Sequence, residues 1–221
     1  MIEAMDIVKT FRSGKKKVPV LSRVSFALEK GQTLTIAGKS GSGKTTLLNC
    51  LGGLEKPDSG RIRCFGVDVT ALSGKSQALF QREKVGFVFQ YGNLLSYLTV
   101  SENISFPLVL NRFSSRKKEM RIKGLLEELE LTGLSRAMPH ELSGGQAQRV
   151  AFARAIAHVP ALLLADEPTA SLDTATGRNL IRLMVRMGRE NGVTIIASTH
   201  DNEIIRHSDR TIWLTDGKIT G

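Results

Sequence analysis

Short apolar runs alternate with longer helical patterns along most of the 221 residues. Segments 33–37, 85–89, 162–165, 193–198 and 211–214 are apolar and rich in β-branched residues, and read as strands. Helical patterns between them predict an α/β core with a mainly parallel sheet. Nearer the N-terminus, Val24, Phe26 and Leu28 alternate with polar residues, and the turn residues Asp58-Ser59-Gly60 precede the run 61–65. This part reads as antiparallel hairpins, a small β-rich unit leaning on the core. Between 99 and 138 the period changes: Ile122, Leu125, Leu126 and Leu129 fall at i, i+3, i+4 and i+7 on a helix expected to end near Gly133. The expectation is a helical insertion at about 99–140 whose apolar stripe joins the core. Leu180, Leu183, Met184 and Met187 mark a second amphipathic helix, again facing the core.

Length adds that one sizeable core fits and two independent domains do not, so 1–221 is expected to be a single domain. No apolar run approaches the ~20 residues that span a bilayer, and Glu3 and Asp6 interrupt any signal-peptide pattern, so a cytoplasmic protein is expected. Cys50 and Cys64 lack metal-ligand spacing and are expected to be packing residues in a reducing compartment. The formal net charge of +10 suits nucleic acid or an anionic membrane face equally well. The cations cluster at Lys15, Lys16 and Lys17 and at Arg112, Arg116, Lys117, Lys118, Arg121 and Lys123. Aromatic residues, 5% of the chain, are not interleaved with them, so no nucleic acid is expected and the clusters read as solvated surface.

The chemistry starts at Gly38-Lys39-Ser40-Gly41-Ser42-Gly43-Lys44-Thr45-Thr46. Gly38, Gly43, Lys44 and Thr45 have the P-loop spacing, after a predicted strand and before a helix. Glycines let successive N–H groups turn inward onto phosphate oxygens, and the helix N-terminus adds positive potential. Lys44 is expected on the β- and γ-phosphates of ATP and Thr45 on Mg²⁺. The run 162–165 ends in Asp166-Glu167, which places two carboxylates at the sheet edge beside the loop. Asp166 would hold Mg²⁺ and Glu167 would deprotonate the attacking water. Alone, such a pair equally marks a strand end meeting solvent.

Leu142-Ser143-Gly144-Gly145-Gln146, followed by Ala147-Gln148-Arg149, narrows the reading. This pentapeptide, between a P-loop and an Asp-Glu strand end, resembles the signature of the ABC-type ATPases. Ser143 can cap a helix opening at the glycines, which makes a second anion-binding helix start. The resemblance covers essentially the whole chain. It implies the ABC ATPase fold: a P-loop NTPase core with a mainly parallel sheet, an antiparallel β subdomain and a helical insertion. It also implies a head-to-tail dimer in which Ser143, Gly144, Gly145 and Gln146 of one copy close on ATP held by the other. By the same resemblance Gln90 senses Mg²⁺ and water, Asp173 of Ser171-Leu172-Asp173 acts across the dimer, His200 contacts the γ-phosphate and Phe11 stacks on adenine. Phe11 read alone could be core, and His200 a lone loop histidine. Lys39 stands where a small residue is usual, and Ala147 where a polar one is common.

Segments 86–90, 93–95 and 51–54 resemble the lipoprotein-release and macrolide-export branch. That branch implies an integral membrane subunit docking near Gln90–Leu98, on a patch of Leu94, Leu95, Tyr97 and Leu98, with this chain at the cytoplasmic face of the inner membrane. A cell-division ATPase that signals through its membrane partner without moving substrate is the alternative. A DNA-repair relative would need a long coiled coil, and a translation factor a second cassette; the sequence has neither.

Overall fold

The computed structural model describes residues 1–14, 16–199 and 202–220, with backbone only at 13, 202 and 203. The elements in chain order are β1 (Ile2–Ser13), β2 (Lys16–Leu28), β3 (Thr33–Ala37), α1 (Lys44–Leu51), β4 (Ser59–Cys64), β5 (Val67–Asp68), α2 (Gly74–Lys84) and β6 (Val85–Val88). Then follow α3 (Val100–Leu110), α4 (Ser115–Glu128), α5 (Gly144–Ile156), β7 (Leu162–Asp166), α6 (Thr174–Glu190), β8 (Thr194–Thr199), α7 (Asn202–His207), β9 (Arg210–Thr215) and β10 (Lys218–Ile219).

Two sheets result. One is antiparallel, in the order β2-β1-β4-β5; the other runs β10-β9-β3-β8-β7-β6 and is parallel except at β10. The parallel sheet is covered on both faces, which is why its strands read as continuous apolar runs. The period of two divides β7 between two cores. Leu162 and Leu164 meet α1 and the antiparallel sheet, with Leu47, Leu51, Ile7 and Ile62. Leu163 and Ala165 face the helices, with Phe152, Leu180, Met184 and Met187. In the parallel sheet β3 lies between β8 and β9, and β6 to β8 extend to one side only. The crevice beyond the carboxyl ends of β3, β7 and β8 is where such sheets bind ligands.

Within 99–140, α3 and α4 pack against α5, burying Ile104, Leu108, Leu125, Leu126 and Leu129. Thr99 caps α3 through the Glu102 amide. α4 stops earlier than its apolar period predicts. Glu130 turns to φ 57° and the Leu131 amide donates to the Leu126 carbonyl at 2.7 Å, a left-handed C-terminal closure after which only a 3₁₀ turn, Thr132–Leu134, follows.

Cys50 and Cys64 are buried free thiols, and burial pushes both up to about 12, so they serve as packing groups. Arg121 departs from the surface reading of the basic cluster. Its guanidinium donates to the carbonyls of Ile156 and Ala157 at 3.1 and 3.0 Å and closes the C-terminus of α5. Among the described residues, no helix is long and apolar enough to cross a membrane.

Candidate functional site

The loop after β3 turns back against β9 and β2, and glycine is required where it does so. At Gly38 (φ 156°) a Cβ would lie 2.3 Å from the Leu214 carbonyl oxygen; at Gly43 (φ 104°) it would lie 2.7 Å from that of Val20. Gly43 also precedes α1 with no side chain to cap it, which leaves the first-turn amides available to an anion. Lys44 is buried at 6% exposure, and its Nζ donates to the carbonyls of Gly38 and Lys39 at 2.8 and 3.1 Å.

A cavity of about 450 Å³ opens here, lined by Ser40, Gly41 and residues 43–46 together with Val20, Gln90, Glu167 and Ala170. Glu167 Oε1 stands 3.3 Å from Lys44 Nζ. Strand alternation should send Asp166 and Glu167 to opposite faces. The positive φ of Glu167, 45°, breaks the alternation, and the turn is fixed by its amide donating to the Ser198 carbonyl at 3.1 Å. Asp166 accepts from Thr45 Oγ1 at 2.8 Å and from Ser198 Oγ at 2.5 Å. The Thr45 hydroxyl and the Asp166 carboxylate offer adjacent oxygens at the cavity mouth, a donor set that fits a small divalent cation.

Gln90 begins a segment held from behind. Gln148 on α5, 2% exposed, donates to the Phe89 carbonyl at 2.8 Å; Arg154 donates to those of Gly92 and Asn93, both at 2.9 Å. Buried Asn103 on α3 accepts from the Leu95 amide and donates to the carbonyls of Leu95, Leu98 and Thr99. Beside this segment lies an apolar groove of about 410 Å³ whose walls include Phe87, Phe89, Leu95, Phe106, Leu110 and Arg154. The residues of the expected patch do not share one surface. Leu95 lines the groove and Tyr97 is exposed, but Leu94 packs onto the helical core.

The signature forms a separate cavity of about 420 Å³ containing Ser143–Gln146, Asp173, Glu130, Arg149 and Thr176. Ser143 caps α5: its Oγ accepts from the Gln146 amide at 3.3 Å while Gln146 Oε1 accepts from the Ser143 amide at 2.9 Å. A Cβ at Gly145 would lie 2.6 Å from Thr176 Cγ2. Asp173 caps α6 of its own chain through the amides of Ala175 and Thr176, and the bonds from Thr176 hold its carboxyl below the usual range. Arg149 is paired with Glu130 at 2.7 Å.

Other predicted residues are placed differently. Gly38, Lys39 and Ser42 line a neighbouring cavity with Trp213 and Asp216, which Ser40 and Gly41 share. Phe11 stands exposed near the β1–β2 hairpin end, paired with Val18. Lys9 Nζ sits 5.1 Å from its ring centroid. His200 lies outside the described residues. Sequence reasoning missed Asn103, Gln148, Arg154 and Ser198; the visible signal was polar residues inside apolar helix and strand patterns.

The family described as ABC transporter matches residues 21–170. A lipoprotein-releasing system ATP-binding protein of Syntrophotalea carbinolica is 39% identical over 221 residues, spanning 100% of this chain and 97% of that protein. A methionine import ATP-binding protein of Rhodococcus jostii is 42% identical over 215 residues, 97% of this chain and 63% of that protein. Among solved structures, the dimeric ATP-binding cassette MJ0796 of Methanocaldococcus jannaschii, bound to ADP and Pi, matches with TM-score 0.94 and 36% identity. It covers 100% of this chain and 97% of that one.

Proposed function

This chain belongs to the ABC transporter family and is one of its ATP-binding, ATP-hydrolysing subunits, and from that premise we propose that two copies close head to tail on ATP to drive a membrane partner. The single observation that carries the proposal is the division of the site: a cation-bearing P-loop cavity and a signature cavity sit apart in one chain. The dimeric form of the MJ0796 cassette supports the same pairing.

In this reading the loop amides and Lys44 take the phosphates, and Phe11 offers the ring face turned from Lys9 to adenine. Thr45, Asp166 and Gln90 hold Mg²⁺, which supplies charge neutralisation on the phosphate oxygens. Lys44 exchanges its loop carbonyls and Glu167 for phosphate oxygens, and Glu167 acts as the base. Glu167 accepts a proton from water as the new oxygen–phosphorus bond forms and the bond from the γ-phosphorus to the ADP oxygen breaks. Ser143–Gln146 of the second copy complete the phosphate shell, Asp173 lies at the junction and His200 contacts the γ-phosphate.

The apolar groove receives a cytoplasmic helix of the membrane subunit, with the chain at the inner face of that membrane. Release of lipoproteins or export of macrolides is the proposed type, supported by segments 86–90, 93–95 and 51–54 and by a lipoprotein-releasing relative among those that span the chain. The test is co-purification with the membrane protein encoded beside it. A four-helix protein with a large extracytoplasmic domain, lost from the complex by Leu95→Asp or Phe106→Asp with ATP hydrolysis kept, is the expected result. Retention of the partner by both variants sinks the groove assignment.

A further inference from the structure

The segment 89–95 forms one wall of both the P-loop cavity, through Gln90, and the apolar groove, through Phe89 and Leu95. Its backbone is irregular: Gly92 and Asn93 both have positive φ, 70° and 46°. Its short internal bonds run from the Gly92 amide to the Phe89 carbonyl and from the Asn93 amide to the Tyr91 carbonyl. Asn103 of α3 holds its far end at Leu95, and Ser171 Oγ reaches the Gln90 carbonyl at 3.5 Å; at Phe89 and at 92–93 its place is fixed by α5. Gln148 reaches the Phe89 carbonyl, with the Gln90 carbonyl at 3.5 Å, and Arg154 spans those of Gly92 and Asn93. The Arg154 guanidinium meets no acidic side chain among the described residues and is partly buried, so these two carbonyls are its compensation. Arg154 also lines the groove itself.

We propose that Arg154 and Gln148 are positioning residues for Gln90, with Arg154 both lining the groove and holding the catalytic segment. A helix entering the groove meets Arg154 directly. Any displacement of its guanidinium moves the Gly92 and Asn93 carbonyls, two and three residues from Gln90. Gln148 holds the segment from the side of the signature helix start, so the same two residues tie Gln90 to the helix that Ser143 caps. The inference rests on the proposed roles of Gln90 and the groove.

The experiment compares Arg154→Met, Arg154→Lys and Gln148→Met in the full chain. Met keeps the apolar stem or the volume of each side chain and removes the donors. The expected result for Arg154→Met is a turnover about tenfold lower, in keeping with loss of a charged hydrogen-bond pair. Binding of a fluorescent ATP analogue should stay within about twofold, since the P-loop is untouched. Half-saturating Mg²⁺ should rise, and amide exchange across 89–95 should accelerate while α1 remains protected. Arg154→Lys, which restores one donor group, should recover part of the turnover and of the protection. Gln148→Met should act in the same direction and less strongly. Unchanged exchange at 89–95 in both Met variants overturns the tether. If exchange accelerates but Gln90→Ala itself leaves turnover untouched, the role assigned to Gln90 fails while the tether stands. Should Arg154→Met not fold, Arg154→Lys and Gln148→Met still decide the matter by exchange.

Discussion

The two helix starts that frame the chemistry, α1 after the P-loop and α5 after the signature, use the same backbone resource differently. At α1 the cap position is Gly43, no side chain covers the amides, and Lys44 supplies a cation within the first turn. At α5 the Ser143–Gln146 box consumes two amides, Arg149 is engaged by Glu130, and a carboxylate, Asp173, shares the cavity. The first can hold a polyphosphate alone. The second has too little free positive charge to do so and can only complete a shell that another copy has begun.

If that difference is right, substitutions on the two sides should fail in different ways. The largest effect belongs to Glu167→Gln, which removes the base but not the phosphate ligands: turnover falls about a thousandfold with ATP affinity kept, measured by phosphate release against analogue binding. Next, Lys44→Ala should weaken ATP binding about a hundredfold in the monomer, seen by fluorescence titration. Ser143→Arg, on the other side, should leave monomer affinity within about twofold while turnover drops. Equal loss of affinity in these two variants would erase the comparison. Phe11→Ala should cost about tenfold in ATP affinity and much less for triphosphate alone, because only base stacking is lost.

A separate effect concerns stability at the far end of α5. Burial, with the Arg121 charge adding to it, lowers His158 from 6.5 to about 4, so the folded protein keeps it neutral. Between those values the unfolded chain binds the extra proton. Stability should therefore be lost as pH falls from 6.5 towards 4, by up to about 1.4 kcal/mol per pH unit. Urea midpoints at pH 7 and pH 4.5 check this, and His158→Gln should flatten the difference.

Most of the architecture was legible because it rests on local rules. The apolar runs of β3, β7 and β8 are buried on both faces, and Gly38 and Gly43 are imposed by backbone that lies too close for a Cβ. Two features were hidden because they depend on conformation at single residues. Glu130 and Glu167 both adopt a positive φ that nothing in their side chains announces; the first ends α4 early and the second brings the two carboxylates onto one site. The partners of Gln148 and Arg154 were hidden for another reason, since which carbonyl a polar residue meets about 60 positions away is set only by the packed fold.

The central claim is that the P-loop is half of a site whose other half is the signature of a second copy. Light scattering on Glu167→Gln with ATP and Mg²⁺ tests it most directly. The account predicts twice the monomer mass, falling back to the monomer when Ser143→Arg is added to the same chain. A species that stays monomeric with ATP bound, or a dimer indifferent to Ser143→Arg, would contradict it.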